Sequence, residues 1–127
     1  MPRQIITTAN APSSPLYSQG VKAGPHALVS GIVGIDPNTG SLAGDTVQDQ
    51  TGQALENCQA ILQAGGVGLD DIVEAGILLT NPADSAGLNE EYARWFPSEP
   101  STRYVAKLGV ELPDQVPAGA VRDGGFA

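Results

Sequence analysis

Positive charge is what this sequence has least of: 127 residues carry six Lys and Arg against 14 Asp and Glu, for a net charge of −8. The six cations, Arg3, Lys22, Arg94, Arg103, Lys107 and Arg122, are scattered along the chain. Neutralising a nucleic-acid backbone takes clustered Lys and Arg, so no nucleic-acid partner is expected. Cysteine is nearly absent too. The single Cys58 excludes an internal disulfide, and with His26 the only histidine there is no Cys/His metal constellation, so no metal is expected. Long apolar runs are missing as well. Nothing approaches the roughly 20 residues of a membrane span, and no apolar stretch follows Arg3, so no membrane association is expected and the compartment is read as cytoplasmic.

What is present fits a folded domain, with 41% apolar and 16% charged residues over a length that suits one core. The chain is read as a single domain over residues 1–127, of which 115–127 form an atypical tail. Residues 4–7, 17–21, 26–30 and 32–35 read as short strands separated by turns, the strongest being Asp36-Pro37-Asn38-Thr39-Gly40. Val47, Thr51, Ala54, Leu55, Cys58, Ile61 and Leu62 then recur with helical period. Asp45 is the expected cap, with Gln48 three residues on, and Gly65-Gly66 is the stop. Cys58 lies on the apolar stripe and reads as a buried small hydrophobe, not a nucleophile. Residues 72–80 read as a strand. A second helix follows Asn81-Pro82, with Leu88, Tyr92, Trp95 and Phe96 as its core face, and residues 103–110 read as a further strand.

The resulting order, several strands and then α, β, α, β, predicts an α+β two-layer sandwich, a mixed β-sheet with two helices on one face. Against so acidic a background Arg103 stands out, placed where Pro100-Ser101-Thr102 runs into a strand. Its guanidinium is a planar fork of donors suited to a carboxylate or phosphate in two-point contact. Read by itself it is an ordinary surface or ion-paired arginine.

The ordered motifs decide between these readings. Ala11-Pro12, Tyr17-Ser18-Gln19-Gly20-Val21, Val29-Ser30-Gly31, Asp36-Pro37-Asn38-Thr39-Gly40, Gln53-Ala54-Leu55-Glu56-Asn57, Ala64-Gly65-Gly66, Leu88-Asn89-Glu90-Glu91-Tyr92 with Phe96, Pro100-Ser101-Thr102-Arg103 and Leu112-Pro113 together resemble the RidA/YjgF family over residues 4–113. The resemblance implies a chorismate-mutase-like fold and a homotrimer with ligand sites between subunits. It implies hydrolysis of reactive 2-imino and enamino acids to 2-oxo acids and ammonia, as in a 2-iminobutanoate/2-iminopropanoate deaminase, with no cofactor. Arg103 matches the family's carboxylate-binding arginine and Tyr17 its cleft tyrosine, the pair expected at the chemistry. Ser30, Gly31 and Asn89 match positions that bind substrate.

Two departures from the family's pattern bear on activity. Val105 stands where active deaminases usually carry a cysteine, and counting from Pro113 puts Gly119 near the site of a water-orienting glutamate. General-base assistance is worth about 10²–10⁴-fold in rate. A non-catalytic trimeric binder of small carboxylates or metabolites is therefore the alternative expectation, with Glu111 or Asp114 as candidate substitutes for the glutamate. An endoribonuclease or translation inhibitor ranks third, opposed by the acidic charge and the single histidine. Pro117 and the glycines that follow predict a poor central strand.

Overall fold

The computed structural model describes residues 2–108 and a final strand at 121–126. Four short strands open the chain: β1 (Gln4–Ile6), β2 (Gly20–Ala23), β3 (His26–Val29) and β4 (Ile32–Val33). They are followed by α1 (Val47–Ala64), β5 (Glu74–Leu79), α2 (Ser85–Trp95), β6 (Thr102–Lys107) and β7 (Val121–Phe126). The described strands form one mixed sheet in the order β1-β2-β3-β7-β5-β6, with β4 also paired to β7. β5 and β6 are parallel, and the other pairs are antiparallel. The α+β expectation holds.

The core lies between the sheet and the helices. Ile6, Val29, Ile32, Ala75, Ile77 and Leu79 from the strands meet Ala54, Leu55, Cys58, Ile61 and Leu62 of α1 and Leu88 and Tyr92 of α2. Each large aliphatic side chain removed from water contributes about 1.5–3 kcal/mol, which fixes both helices to one face. The helical period therefore stood for burial, and Cys58 is fully buried on that stripe. Trp95 and Phe96 are only partly buried at the margin of the same cluster.

Local signals act much as expected, with shifts at the ends. Thr46, not Asp45, caps α1: its Oγ1 accepts from the Asp49 N–H at 3.1 Å, because Thr46 holds the extended backbone a cap requires. The helix stops where Gly66 takes φ 84°, the left-handed turn that glycine adopts without a Cβ clash. The Asp36–Gly40 turn closes with the Gly40 N–H on the Asp36 carbonyl and the Asn38 N–H on the Asp36 carboxylate. Tyr17 lies before β2, in an isolated bridge with Ser14, so β2 starts three residues later than the alternating pattern indicates.

The glycines near the end do not keep residues 121–126 out of the sheet. β7 runs between β3 and β5 and pairs with both. Along β5 the register passes from Ala75↔Phe126 to Ile77↔Asp123, so β7 carries one more residue than its partner there. That extra residue falls at Gly124-Gly125. A bulge is a place where glycine costs a strand little, and pairing on both sides outweighs the weak intrinsic propensity. Gly119, Glu111, Asp114 and Pro117 lie outside the described residues.

Candidate functional site

Arg103 sits on β6, at the end of the sheet order, next to Ala75 of β5. Ala75 is fully buried toward the helices, so its row partner Arg103 faces the same side. The root of the side chain is fixed from the backbone. Thr102 donates both its N–H (3.2 Å) and its hydroxyl (2.8 Å) to the Val73 carbonyl, clipping the start of β6 to the segment that leads into β5. The tip is fixed by α2. Arg103 Nη2 donates to Asn89 Oδ1 at 2.9 Å, and the guanidinium carbon stands 4.8 Å from the centroid of the Tyr92 ring. Both distances fall within the range of a hydrogen bond and of a cation–π contact.

The helix brings these two groups together by simple periodicity. Leu88 and Tyr92, four residues apart, are buried and seat α2 on the core. Asn89, exposed, and Tyr92, buried, are three apart and so adjoin along one flank of the helix. Tyr92 also stacks on Phe96, with ring centroids 4.6 Å apart. Glu91 points elsewhere: its carboxylate accepts from Trp95 Nε1 at 2.9 Å and Arg94 Nη1 at 3.0 Å. Among the described residues no carboxylate forms an ion pair with Arg103, so its charge is not neutralised there.

The other three expected site residues form a second group. Ser30 and Gly31 occupy the break between β3 and β4, and the Ser30 hydroxyl donates to the carbonyl of Ser18, next to Tyr17. The Ser30 N–H donates to the Gln19 carbonyl at 3.0 Å. Tyr17 is 54% exposed, so its ring is available to a ligand or to another chain. The register places Val29, Phe126, Ala75 and Arg103 in one row across β3, β7, β5 and β6. Three strand spacings of about 4.8 Å separate the row's ends, so the backbones of Val29 and Arg103 are roughly 14 Å apart within one chain, and Ser30 follows directly on Val29. The structure thus joins Arg103 to Asn89, and ties Ser30 to Ser18 and Gln19, the residues that follow Tyr17, without joining these two groups.

Sequence reasoning missed three contributors. Tyr92 was assigned to the core alone, although the same ring underlies Arg103. Thr102 was noted only as part of a motif. Gln19, 5% exposed, holds the loop that carries Tyr17: its Nε2 reaches the carbonyls of Thr8, Ala11 and Pro12 at 2.9–3.0 Å, and its Oε1 accepts from the Thr8 N–H at 2.7 Å. The one available signal was a glutamine between two turn segments, where a buried amide can bind several backbone groups. A separate hollow of about 410 Å³, where α1 and α2 begin, is lined by Asp45, Thr46, Gln48 and Asp84 among others. Two carboxylates and no cation make it unsuited to an anionic ligand.

Comparison with known proteins places the chain in a family and a fold. The sequence profile of the family described as Endoribonuclease L-PSP matches residues 8–115. A RutC family protein of Pyrococcus horikoshii is 38% identical over 116 residues, covering 90% of each chain. Reactive Intermediate Deaminase A, chloroplastic, of Arabidopsis thaliana is 36% identical over 102 residues, covering 80% of this chain and 54% of that protein. The crystal structure of Escherichia coli TdcF with bound serine superposes with a TM-score of 0.85 at 31% identity, covering 97% of each chain. Fold and comparisons together define a small α+β protein with a mixed sheet and two helices, Arg103 standing exposed on the last strand of the sheet order. The chain belongs to the RidA/YjgF family.

Proposed function

We propose that the protein is a deaminase of reactive 2-imino and enamino acids, releasing 2-oxo acids and ammonia, with Arg103 holding the substrate carboxylate. The observation that carries this reading is the guanidinium itself: exposed, held at its tip by Asn89 and Tyr92, and without an acidic partner among the described residues. A fixed charge-assisted fork orients the imine carbon toward water, and such positioning alone supplies a large part of the rate increase in reactions of this kind. Relatives named as reactive intermediate deaminases support the class of chemistry. No cofactor is required, because hydrolysis of an imine needs only water and a proton.

In this reading the complete site lies between copies of the chain, most simply in a homotrimer. The roughly 14 Å of sheet between Arg103 and the end of β3, which Ser30 follows, is too far for a 2-imino acid to bridge, whereas a second copy can bring Tyr17, Ser30 and Gly31 to the Arg103 of the first. The test is ammonia release from a 2-imino acid generated in situ. The protein accelerates it, Arg103→Ala abolishes the acceleration and Arg103→Lys loses at least about tenfold, because a point charge cannot replace the two-point fork. No acceleration over buffer by the unmodified protein overturns the reading.

A second reading is favoured by Val105, which stands on the Arg103 face of β6 and offers no polar group to a water molecule. It makes the protein a non-catalytic binder of small carboxylates. The solved TdcF holds serine, which carries such a carboxylate. Calorimetry with a 2-oxo acid showing Arg103-dependent binding without turnover selects it. Ribonuclease action is opposed by the −8 charge and the single histidine, and RNA left intact by highly purified protein closes that option.

A further inference from the structure

We infer that Tyr92 and Asn89 are positioning residues for Arg103: together they fix the plane and the free edge of its guanidinium, so that a carboxylate meets a pre-set fork. The inference rests on the reading of Arg103 as a carboxylate clamp, and it assigns Asn89 a role through the arginine instead of direct contact with the ligand.

A guanidinium has five N–H donors in one plane, and two-point contact with a carboxylate uses two of them on one edge. On an exposed edge strand the long side chain would otherwise sample many rotamers, and ordering it on binding would cost affinity. Here the tip is held from two directions. Asn89 Oδ1 accepts from Nη2 at 2.9 Å, spending one donor and leaving four. The Tyr92 ring lies beneath the guanidinium at 4.8 Å, and that ring is itself held, 6% exposed and stacked on Phe96. The two contacts arise from residues three apart on α2, one fixing rotation in the guanidinium plane and the other fixing the tilt of that plane. With Thr102 clipping the root of β6 to Val73, both ends of the side chain are set before any ligand arrives.

The test uses the full chain, with pyruvate and 2-oxobutanoate as probes in calorimetry and nitrogen-detected NMR on the Arg103 side chain. Tyr92→Leu is expected to weaken binding about 5- to 30-fold, and Tyr92→Phe, which keeps the ring, to recover most of that loss. Asn89→Ala is expected to weaken it about 3- to 10-fold. In the unmodified protein without ligand, the Arg103 Nε–H signal carries a ring-current shift that Tyr92→Leu removes, and rotation about the Nε–Cζ bond is slowed in a way that Asn89→Ala relieves. A purely structural role for Tyr92 would lower the melting temperature without moving these signals. If Tyr92→Leu does not fold, the exposed Asn89→Ala variant and the Arg103 signals of the unmodified chain still decide. Binding that depends on Arg103 but is unchanged in Asn89→Ala and Tyr92→Leu overturns this inference alone, as does Tyr92→Phe binding no better than Tyr92→Leu. An unmodified protein that binds neither acid overturns it together with the reading of Arg103 on which it rests.

Discussion

Gly76 and Tyr104 are partners across the parallel β5–β6 pair, and the tyrosine ring covers the space that a Cβ at position 76 would occupy. The absence of a side chain at 76 lets the ring lie against the strand backbone, while Tyr104 remains 48% exposed. Replacing the glycine by alanine forces either the ring or the strand to move. Gly76→Ala is expected to cost about 1–3 kcal/mol in urea denaturation. In a Tyr104→Ala background the penalty shrinks, and the difference gives the coupling between the two positions. Equal penalties in the two backgrounds would show that the ring is not what resists the new methyl group.

How far sequence could reach is clearest where local pattern and long-range pairing part company. The stripe from Val47 to Leu62 encodes α1 directly, because burial at helical spacing leaves its mark on neighbouring turns of one element. The Asp36–Gly40 turn is equally local, written in residues that tolerate its backbone. β7 is not legible in the sequence because it is held by pairing with β3, β4 and β5, and its glycines look like breakers until the bulge opposite β5 gives them a place. The site divides in the same way. Arg103, Asn89, Tyr17, Ser30 and Gly31 were all named from ordered motifs. That Arg103 meets α2, while Ser30 stands three strands away, follows from topology, which no short window of sequence contains.

Gln19 joins the segment carrying Tyr17 to the backbone around Thr8 and Pro12. Its carboxamide makes four contacts in the 2.7–3.0 Å range with Thr8, Ala11 and Pro12. Truncating it strands an N–H and several carbonyls in a poorly solvated place, and each unsatisfied buried group costs about 1–3 kcal/mol. Gln19→Ala is therefore expected to lose about 2–4 kcal/mol of stability. Hydrogen exchange should show faster exchange of the Thr8 amide, with protection of the α1 amides falling only by the global change. A loss confined to global stability, with the Thr8 amide as protected as α1, would contradict the role assigned to this side chain.

Cys58 offers a test of the core. The thiol is fully buried among the apolar residues of α1 and the sheet, with no surface for a reagent to approach. Thiolate chemistry needs both access and a stabilised negative charge. The native protein is expected not to react with an aromatic disulfide reagent over minutes. Labelling should rise with urea along the same curve as the loss of helical circular dichroism. Rapid labelling in buffer would mean that α1 opens without global unfolding.

Thr51 carries the last prediction, and its sign is opposite to most core substitutions. The residue is 1% exposed on the buried face of α1, and its Oγ1 has no hydrogen-bond partner among the described residues. An unpaired buried hydroxyl carries a desolvation penalty of about 1–3 kcal/mol, whereas a methyl group of nearly the same shape carries none. Valine shares the β-branch and loses little in helix propensity. Thr51→Val is accordingly expected to raise stability by about 1 kcal/mol, read as a higher urea midpoint at unchanged slope. Thr51→Ala, which removes the hydroxyl but leaves a small void, should fall below Thr51→Val because the vacated volume costs packing. A Thr51→Val variant less stable than the unmodified protein would mean that the hydroxyl is satisfied in solution, by a water molecule or by a second chain.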